Sequence, residues 1–593
     1  MVSSFLKKDI SLKISKLLNR YLKNEKYATD LHKKINYLTR VNRADKSSKF
    51  FGLLSLDLSK ISNEIDLKQI KIDEPSPYSS IQSIKLDKNK LIIQADQKEF
   101  KKYTIHSIFD QKFNYGFNLE DQVYLYKNTW RPKKSTEPTI VEFSSPNIAK
   151  PLHAGHMRST FLGSYLSNLH SRLGHQVTKI NYLGDWGTQY GILAVGFEKY
   201  GSYEELNKSP IKHLLEVYVK ANKDEELRNK ALEYFSQMEQ KNDKSLKMWN
   251  LFKDLSIKEL VSVYKNLNIK FDVYESESEY YEKAKQKVQQ LLKIGLAEQL
   301  EDGAVQAKLS TSGSVKKFIL QKSDNSTLYI TRDIAALCER KEKYGFKKIV
   351  YVVDSSQKDH FMKLYETVNA LDASILNDIS FEEFYVPFGR ITNMSTRKGK
   401  VEFLSDLIQE AKQVAFESME FSKTKKILQD AELVAQAIGN SHLIITDLGK
   451  PRQKDYEFSW KNIVSKDDSA YMCHYAHARL HSLLEKCRNE LKIEPSIENV
   501  DLSLLNKQTE LNLIQHLARF EEAVWQSYEE YEPYHVVLYL FQLVKLTNLC
   551  LKDSYVFNEQ LDVAKARLLL FSCSKQVLQN SFNVLGINPL NSI

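Results

Sequence analysis

Two imidazoles three positions apart, His153 and His156, end the string Ser144-Ser145-Pro146-Asn147-Ile148-Ala149-Lys150-Pro151-Leu152-His153-Ala154-Gly155-His156. The string lies between a β-rich run and a run of helical periodicity, so its end is the N-terminus of a helix. Such a place suits polyphosphate. Outward-pointing backbone N–H groups favour anions, Gly155 permits close approach, and both histidines can donate to phosphoryl oxygens as charge develops. The other reading is that one histidine caps the helix and the other packs. As a metal site the pair lacks a nearby third ligand and the i, i+4 helical spacing.

The elements that must position this string follow from periodicity. Thr139–Phe143 reads as a strand. Met157, Phe161, Leu162, Tyr165, Leu166, Leu169 and Leu173 trace one helical face that Gly174 stops, and Val177–Tyr182 is the next strand. Strand, loop, helix and strand make a βαβ unit, hence a right-handed crossover in a parallel sheet that binds ligands at the carboxyl ends of its strands. Alternation resumes with Thr327–Ile330, a helix over Arg332–Tyr344, and strands at Ile349–Val353 and Phe384–Phe388. Between the halves, about 200–325, the pattern predicts a mostly helical insertion. From about 402 onward only helical patterns occur, including Asp467–Leu491. Before residue 130, short alternating runs such as Leu91–Ala95 and Gln122–Tyr126 predict a small α+β module, and Arg131–Ser135 a linker. The expected domains are thus 1–130, 136–402 and 403–593.

Composition narrows the class. The chain has 593 residues, with 85 Lys plus Arg against 75 Asp plus Glu, and only 19 Gly and 12 Pro, which excludes collagen-like and turn-rich all-β proteins. Residues 1–60 hold 14 Lys or Arg and 5 Asp or Glu, so nearly all the net charge of +10 sits there. Such a stripe attracts phosphate backbones, or is the solvated face of a Lys-rich helix. The first helix, Phe5–Tyr21, is amphipathic and basic, fitting either an RNA-binding domain or a mitochondrial transit-type segment. Five cysteines without C-x-x-C argue against a disulfide framework and a thiolate zinc site. Val536–Leu551 is interrupted by Gln542, Lys545, Thr547 and Asn548, so no membrane span is expected.

The string H-A-G-H resembles the HIGH signature of class I aminoacyl-tRNA synthetases, and its surroundings resemble the arginyl-tRNA synthetases of fungal and wider eukaryotic type. Glu142–Lys150, His153–Thr160, Asn181–Gln189, Tyr329–Ala336, Gln357–His360, Asn393–Gly399 and Tyr475–Arg479 match that family in order. The resemblance implies a Rossmann-type parallel-sheet catalytic core with a helical insertion, an N-terminal α+β domain for the tRNA elbow and a C-terminal all-α anticodon-binding bundle. It implies ligation of L-arginine to tRNA(Arg) by a monomer, with ATP as substrate and Mg2+. Glu142, Ser145, Pro146, Asn147, His156, Tyr329, Asp333 and Gln357 would line the arginine pocket. A guanidinium is a planar five-donor fork, and these side chains include the acceptors it needs. Taken alone, Asp333 has another reading, as a dipole-favoured residue in the first turn of a helix. ATP would meet His153, Gly155, His156, Met394 and Ser395. Catalysis would rest on Lys150, His153, His156, Arg397 and Lys398.

The loop Asn393–Lys400 departs from the family's KMSKS pattern, because Asn393 and Thr396 stand where its lysines would be. By resemblance Lys150 supplies the missing cation from the other side. Cys473, His474 and His477 could be a metal trio, but their place on a long helix beside Arg479 fits the anticodon domain better. Trp186 reads equally as core or as facing the substrate. The basic first helix and the divergent C-terminus favour the mitochondrial matrix, with the cytoplasm as the alternative.

Overall fold

Ile140 and Val141, and the run Ile349–Val352, are continuous apolar stretches, as strands covered on both faces require. They belong to β1 (Pro138–Glu142) and β4 (Lys348–Asp354) of a five-stranded parallel sheet completed by β2 (Gln176–Leu183), β3 (Val273–Ser276) and β5 (Tyr385–Phe388). The spatial order is β5-β4-β1-β2-β3, with Ile140 opposite Ile349 and Glu142 opposite Tyr351. The order reverses between β1 and β4, so the connections leaving these strands diverge and open a crevice at their carboxyl ends. A computed structural model describes residues 3–19, 22, 31, 34–35, 39–41, 52–61, 65, 80–117, 123–126, 129–132, 137–148, 152–311, 314–392, 403–420, 430–458, 460 and 469–593.

From β1 the chain enters α1 (Ala154–Arg172), which buries Met157, Phe161, Leu162, Tyr165, Leu166 and Leu169 against the sheet. A Cβ at Gly163 would lie 2.2 Å from Phe143 Cβ, so this glycine lets α1 approach the end of β1. Gly174 follows with φ +91°, the left-handed conformation of a helix terminator. The segment predicted as a mostly helical insertion contains helices Pro210–Asn222, Glu225–Glu239, Asp243–Asn266 and Tyr281–Lys293. It also contains β3 and an antiparallel sheet of Ala297–Gln299, Val305–Thr311 and Ser314–Gln321. Four-residue β3 reads Val-Tyr-Glu-Ser and has no apolar periodicity to announce it. Thr327 makes only a bridge to Gln321, and Tyr329 already begins α2 (Tyr329–Tyr344), where a strand had been expected. After β4 the chain turns into α3 (Lys358–Leu371).

By contact the chain divides into two units, one of Thr136–Gln413 with Thr446–Trp460, the other of Met1–Ser135 with Val414–Ile445 and Lys461–Ile593. The expected boundary at 402 therefore does not coincide with the division. Tyr456–Glu457 pairs in parallel with Ile391–Thr392 and draws its segment into the unit that holds the parallel sheet.

The other unit joins the α+β module to a helical bundle. A four-stranded antiparallel sheet carries Gln97–Gln111 and Ser3–Leu18, and the latter fully buries Ile10, Ile14 and Leu18. Tyr115 Oη donates to Leu517 O (2.9 Å), Gly52 N to Gln515 Oε1 (2.8 Å), and Asn580 Nδ2 to the carbonyls of Lys112 and Tyr115 (3.0 Å each). Helix Tyr534–Asp553 is long and apolar enough to cross a membrane by composition, and packing accounts for that apolarity: Val536, Val537, Leu540, Leu543 and Cys550 are buried in the bundle. The helix expected over Asp467–Leu491 runs Ala470–Lys486 and ends in a π turn. On it His474 bonds Ser441 Oγ (2.8 Å) and stacks on Phe582, and burial pushes it down to about 3. Among the described residues no three His, Cys, Asp or Glu side chains gather as metal ligands.

Candidate active site

The crevice between β1 and β4 is a cleft of about 660 Å3, of the size that small-molecule sites have. At its floor Arg340 of α2, 1% exposed, pairs with Glu142 at the end of β1 and, through Nε, with Glu275 of β3 (2.8 Å). Its Nη1 also donates to Tyr351 Oη (3.0 Å). One cation thus serves two buried carboxylates. Burial pushes the Glu142 carboxyl up to about 7 although Arg340 pulls it down. The second Glu142 oxygen accepts from Ser145 Oγ (3.3 Å), so Arg340 and Ser145 already engage both of its oxygens.

Ser144 and Ser145 have φ of +69° and +41°, a tight turn at the strand end. Ser144 N donates to Ser159 Oγ (2.9 Å), and that hydroxyl donates to Val352 O (2.7 Å), tying the turn to α1 and β4. Asn147 bridges to Gly184, and Gly184 N donates to Pro146 O (3.0 Å). Pro146 is therefore a buried anchor behind the cleft, while Ser145 and Asn147 line it.

One wall comes from α2, α3 and the turn before α3. Tyr329, Asp333, Gln357 and His360 line it, and His360 Nε2 donates to Asp333 Oδ2 (2.7 Å). Burial opposes the cationic form of His360, but the bond and charge of Asp333 outweigh it and raise its pKa. Glu277, which no sequence motif marks, also lines the cleft at 5% exposure. Arg332 lies 3.5 Å from one of its oxygens, while Oε2 has no protein hydrogen-bond partner. Burial pushes Glu277 up to about 8 against the pull of Arg332. Its turn is held by Asp185, fully buried, which accepts from Ser278 N (2.9 Å) and Oγ (2.7 Å) and pairs with Lys253 of the insertion (2.7 Å). With Glu142, Glu277, Asp333 and Asp354 against Arg340, this end of the cleft is acidic. Trp186 is core, packed on Trp249, Phe235 and Tyr281.

At the other end the two histidines form a capping box. His153 Nδ1 accepts from Gly155 N (3.0 Å), and His156 Nδ1 accepts from His153 N (3.2 Å). Capping and phosphate binding are therefore compatible. With each Nδ1 accepting, the neutral tautomer carries its proton on Nε2, a donor suited to a phosphoryl oxygen. His153, Gly155 and His156 all line the cleft. Lys150, Met394, Ser395, Arg397 and Lys398 lie outside the described residues. The cleft so joins a histidine-capped helix N-terminus to an acidic recess.

Residues 121–460 match the family described as tRNA synthetases class I (R), catalytic domain, and residues 473–593 match the DALR anticodon binding domain. The chain is 35% identical over 534 residues to the probable mitochondrial arginine–tRNA ligase of Bos taurus, with 89% of each chain covered. It is 34% identical over 606 residues to the mitochondrial arginine–tRNA ligase of Saccharomyces cerevisiae, covering 96% of this chain and 91% of that one. To the cytoplasmic enzyme of the same yeast it is 39% identical over 465 residues, 76% of each. Among solved structures, Thermus thermophilus arginyl-tRNA synthetase matches with a TM-score of 0.75 at 18% identity, over 99% of this chain and 100% of that one, a likeness of fold. The catalytic-family match spans more than half the chain and the relatives cover most of it, so this chain belongs to the class I tRNA synthetases of the arginyl type.

Proposed function

We infer that this chain ligates L-arginine to tRNA(Arg) through an arginyl-adenylate, with ATP as the second substrate. The observation that carries the reading is the acidic recess, where Glu277 and Asp333 face one cleft whose other end is the histidine-capped helix N-terminus. Two carboxylates suit the fork of a guanidinium. Ser145, Asn147, Tyr329 and Gln357 are assigned to the rest of the arginine, and Pro146 to holding the turn that presents Ser145 and Asn147. Glu142 is assigned to orient Ser145 through its second oxygen. Because an ammonium on a shorter chain lacks the planar fork and would leave carboxylate oxygens unpaired, lysine and ornithine would be rejected by roughly 10⁴ to 10⁵.

The arginine carboxylate attacks the α-phosphorus and pyrophosphate leaves, a reaction governed by positioning and charge stabilisation. His153 and His156, with Nε2–H donors, are assigned to the phosphoryl oxygens. Lys150, Arg397 and Lys398 are assigned as the cations, and Gly155, Met394 and Ser395 as contacts to ATP. Magnesium is proposed to arrive on the triphosphate, since it is usually held by substrate phosphates. The test is ATP–pyrophosphate exchange over all twenty amino acids with and without bulk tRNA. Exchange with arginine alone, in the presence of tRNA, is expected. Exchange with another amino acid, or with none, refutes the reading.

Both mitochondrial and cytoplasmic arginine–tRNA ligases are among the relatives. We propose the mitochondrial matrix, on the basic first helix. Because Ile10, Ile14 and Leu18 are buried in the fold, any targeting role of that helix is exercised before folding. A fluorescent fusion to residues 1–30 that stays diffuse in the cytosol overturns this. The chain is proposed to act as a monomer, which sedimentation at working concentration tests.

A further inference from the structure

Arg158 stands two residues after His156 on α1, yet it does not line the cleft and its side chain enters a buried knot. Its Nε pairs with Asp447 Oδ1 (3.0 Å), the two side chains being 3% and 2% exposed. Its Nη1 donates both to Gly389 O (3.0 Å) and to Lys454 O (2.8 Å). Tyr456 lies beneath the guanidinium, 5.1 Å from ring centre to Cζ, and donates its hydroxyl to the same Asp447 oxygen (2.9 Å). One planar fork therefore closes three stretches of chain that are distant in sequence.

The carbonyl it holds belongs to the segment that leads into Asn393. Gly389 N donates to Arg452 O (2.8 Å), Arg390 N to Asp455 Oδ1 (2.6 Å), and Tyr456 N to Arg390 O (3.1 Å). Ile391 and Thr392 then pair in parallel with Tyr456 and Glu457. The fit at Gly389 is close enough that a Cβ there would meet Gln453 O at 2.7 Å and Lys454 C at 2.8 Å. Segment 389–392 is thus paired along its length with 452–458, up to the residue before Asn393.

The geometry points to Arg158 as a positioning residue: through Gly389 O and Asp447 it sets where the chain leaves Thr392 toward Asn393–Lys400, relative to the helix that carries His153 and His156. His153 and His156 sit on the helix that carries this cation, and the residues assigned with them to ATP begin just after Thr392, whereas the carboxylates assigned to the guanidinium, Glu277 and Asp333, are held by the Asp185–Ser278 contact and by His360. This rests on the ligase reading above. A shift of about 1 Å at a positioning group can cost about 100-fold in rate, so the knot acts on the chemical step.

The test compares full-length wild type, Arg158→Lys, Asp447→Asn and Gly389→Ala. Lysine keeps a charge for Asp447 but lacks the planar fork that reaches both carbonyls as well. Gly389→Ala moves the same segment without altering the ion pair. For Arg158→Lys and Gly389→Ala, kcat of arginine-dependent pyrophosphate exchange should fall about 100-fold and KM for pyrophosphate should rise, with arginine affinity by calorimetry within about twofold of wild type. Asp447→Asn should show the same split to a lesser degree. If Arg158→Lys does not fold, the split in Gly389→Ala decides. Equal losses in kcat and arginine affinity, or unchanged kcat in the folded variants, overturn the inference. Failure of the wild type to exchange with arginine and tRNA would instead remove the ligase reading.

Discussion

With Glu277 assigned to the guanidinium as proposed, arginine binding should depend on pH in a direction that can be worked out. The Glu277 carboxyl is pushed up to about 8 by burial, so in the unliganded protein it is mostly protonated at neutral pH. A guanidinium pairs with the ionised form, and binding must therefore expel the proton. Between about pH 6 and about pH 8 the ionised fraction rises from roughly one in a hundred to one half, so arginine affinity should rise about 50-fold, or about 2.3 kcal/mol, and level off above. At about pH 7 close to 0.9 proton should be released per arginine bound. His360 acts with the same sign, because losing its proton loosens its hold on Asp333. The wild-type slope alone does not identify the group, and Glu277→Gln does: it should weaken binding by about 2 to 5 kcal/mol and remove most of the slope. Calorimetry in buffers of different ionisation enthalpy, with tRNA present, measures both quantities. Affinity that falls with rising pH, or a Glu277→Gln variant with the wild-type proton release, refutes the reasoning.

Removing the Arg340 guanidinium by Arg340→Met strands two carboxylates, Glu142 and Glu275, and should cost about 3 to 5 kcal/mol near neutral pH. The sign then follows from protonation: as pH falls the stranded Glu142, already raised by burial, becomes neutral, and the gap from wild type in urea unfolding should narrow by up to about 1.4 kcal/mol per pH unit. A gap independent of pH would show that charge is not its cause. His156→Ala removes one phosphate donor and half of the capping box, so exchange kcat should fall about 100- to 1000-fold, with only about 1 kcal/mol lost from helix stability; a melting shift without a kcat loss would leave the cap as its sole role. Lys150→Ala should depress adenylation far more than arginine binding, and equal depression of both by pre-steady-state assay would sink its assignment to the leaving group.

What the sequence made legible and what it hid divide along a physical line. The strands β1 and β4 are apolar runs buried on both faces, and α1 has a face of Met157, Phe161, Leu162 and Leu169, so the βαβ unit and the place of its ligand crevice followed from local pattern. Glu142, Ser145, Asn147, His153, His156, Tyr329, Asp333 and Gln357 were reachable because each stands in a contiguous family string. Glu277 stands in Glu-Ser-Glu-Ser-Glu-Tyr, one acid among three of which two are buried, and nothing local says which one lines the cleft. Its place depends on Asp185, ninety-two residues earlier, holding Ser278, and on β3, a strand too short to show a period. Arg340 was hidden for the same reason, since a buried cation is recognised only by the carboxylates the topology brings to it. The histidine pair adds a different lesson. Its two sequence readings, helix cap and phosphate ligand, were set against each other, but a ring with two nitrogens can do both. The Nδ1 that satisfies the helix end fixes the tautomer whose Nε2–H would face the phosphate, so capping prepares the donor rather than replacing it.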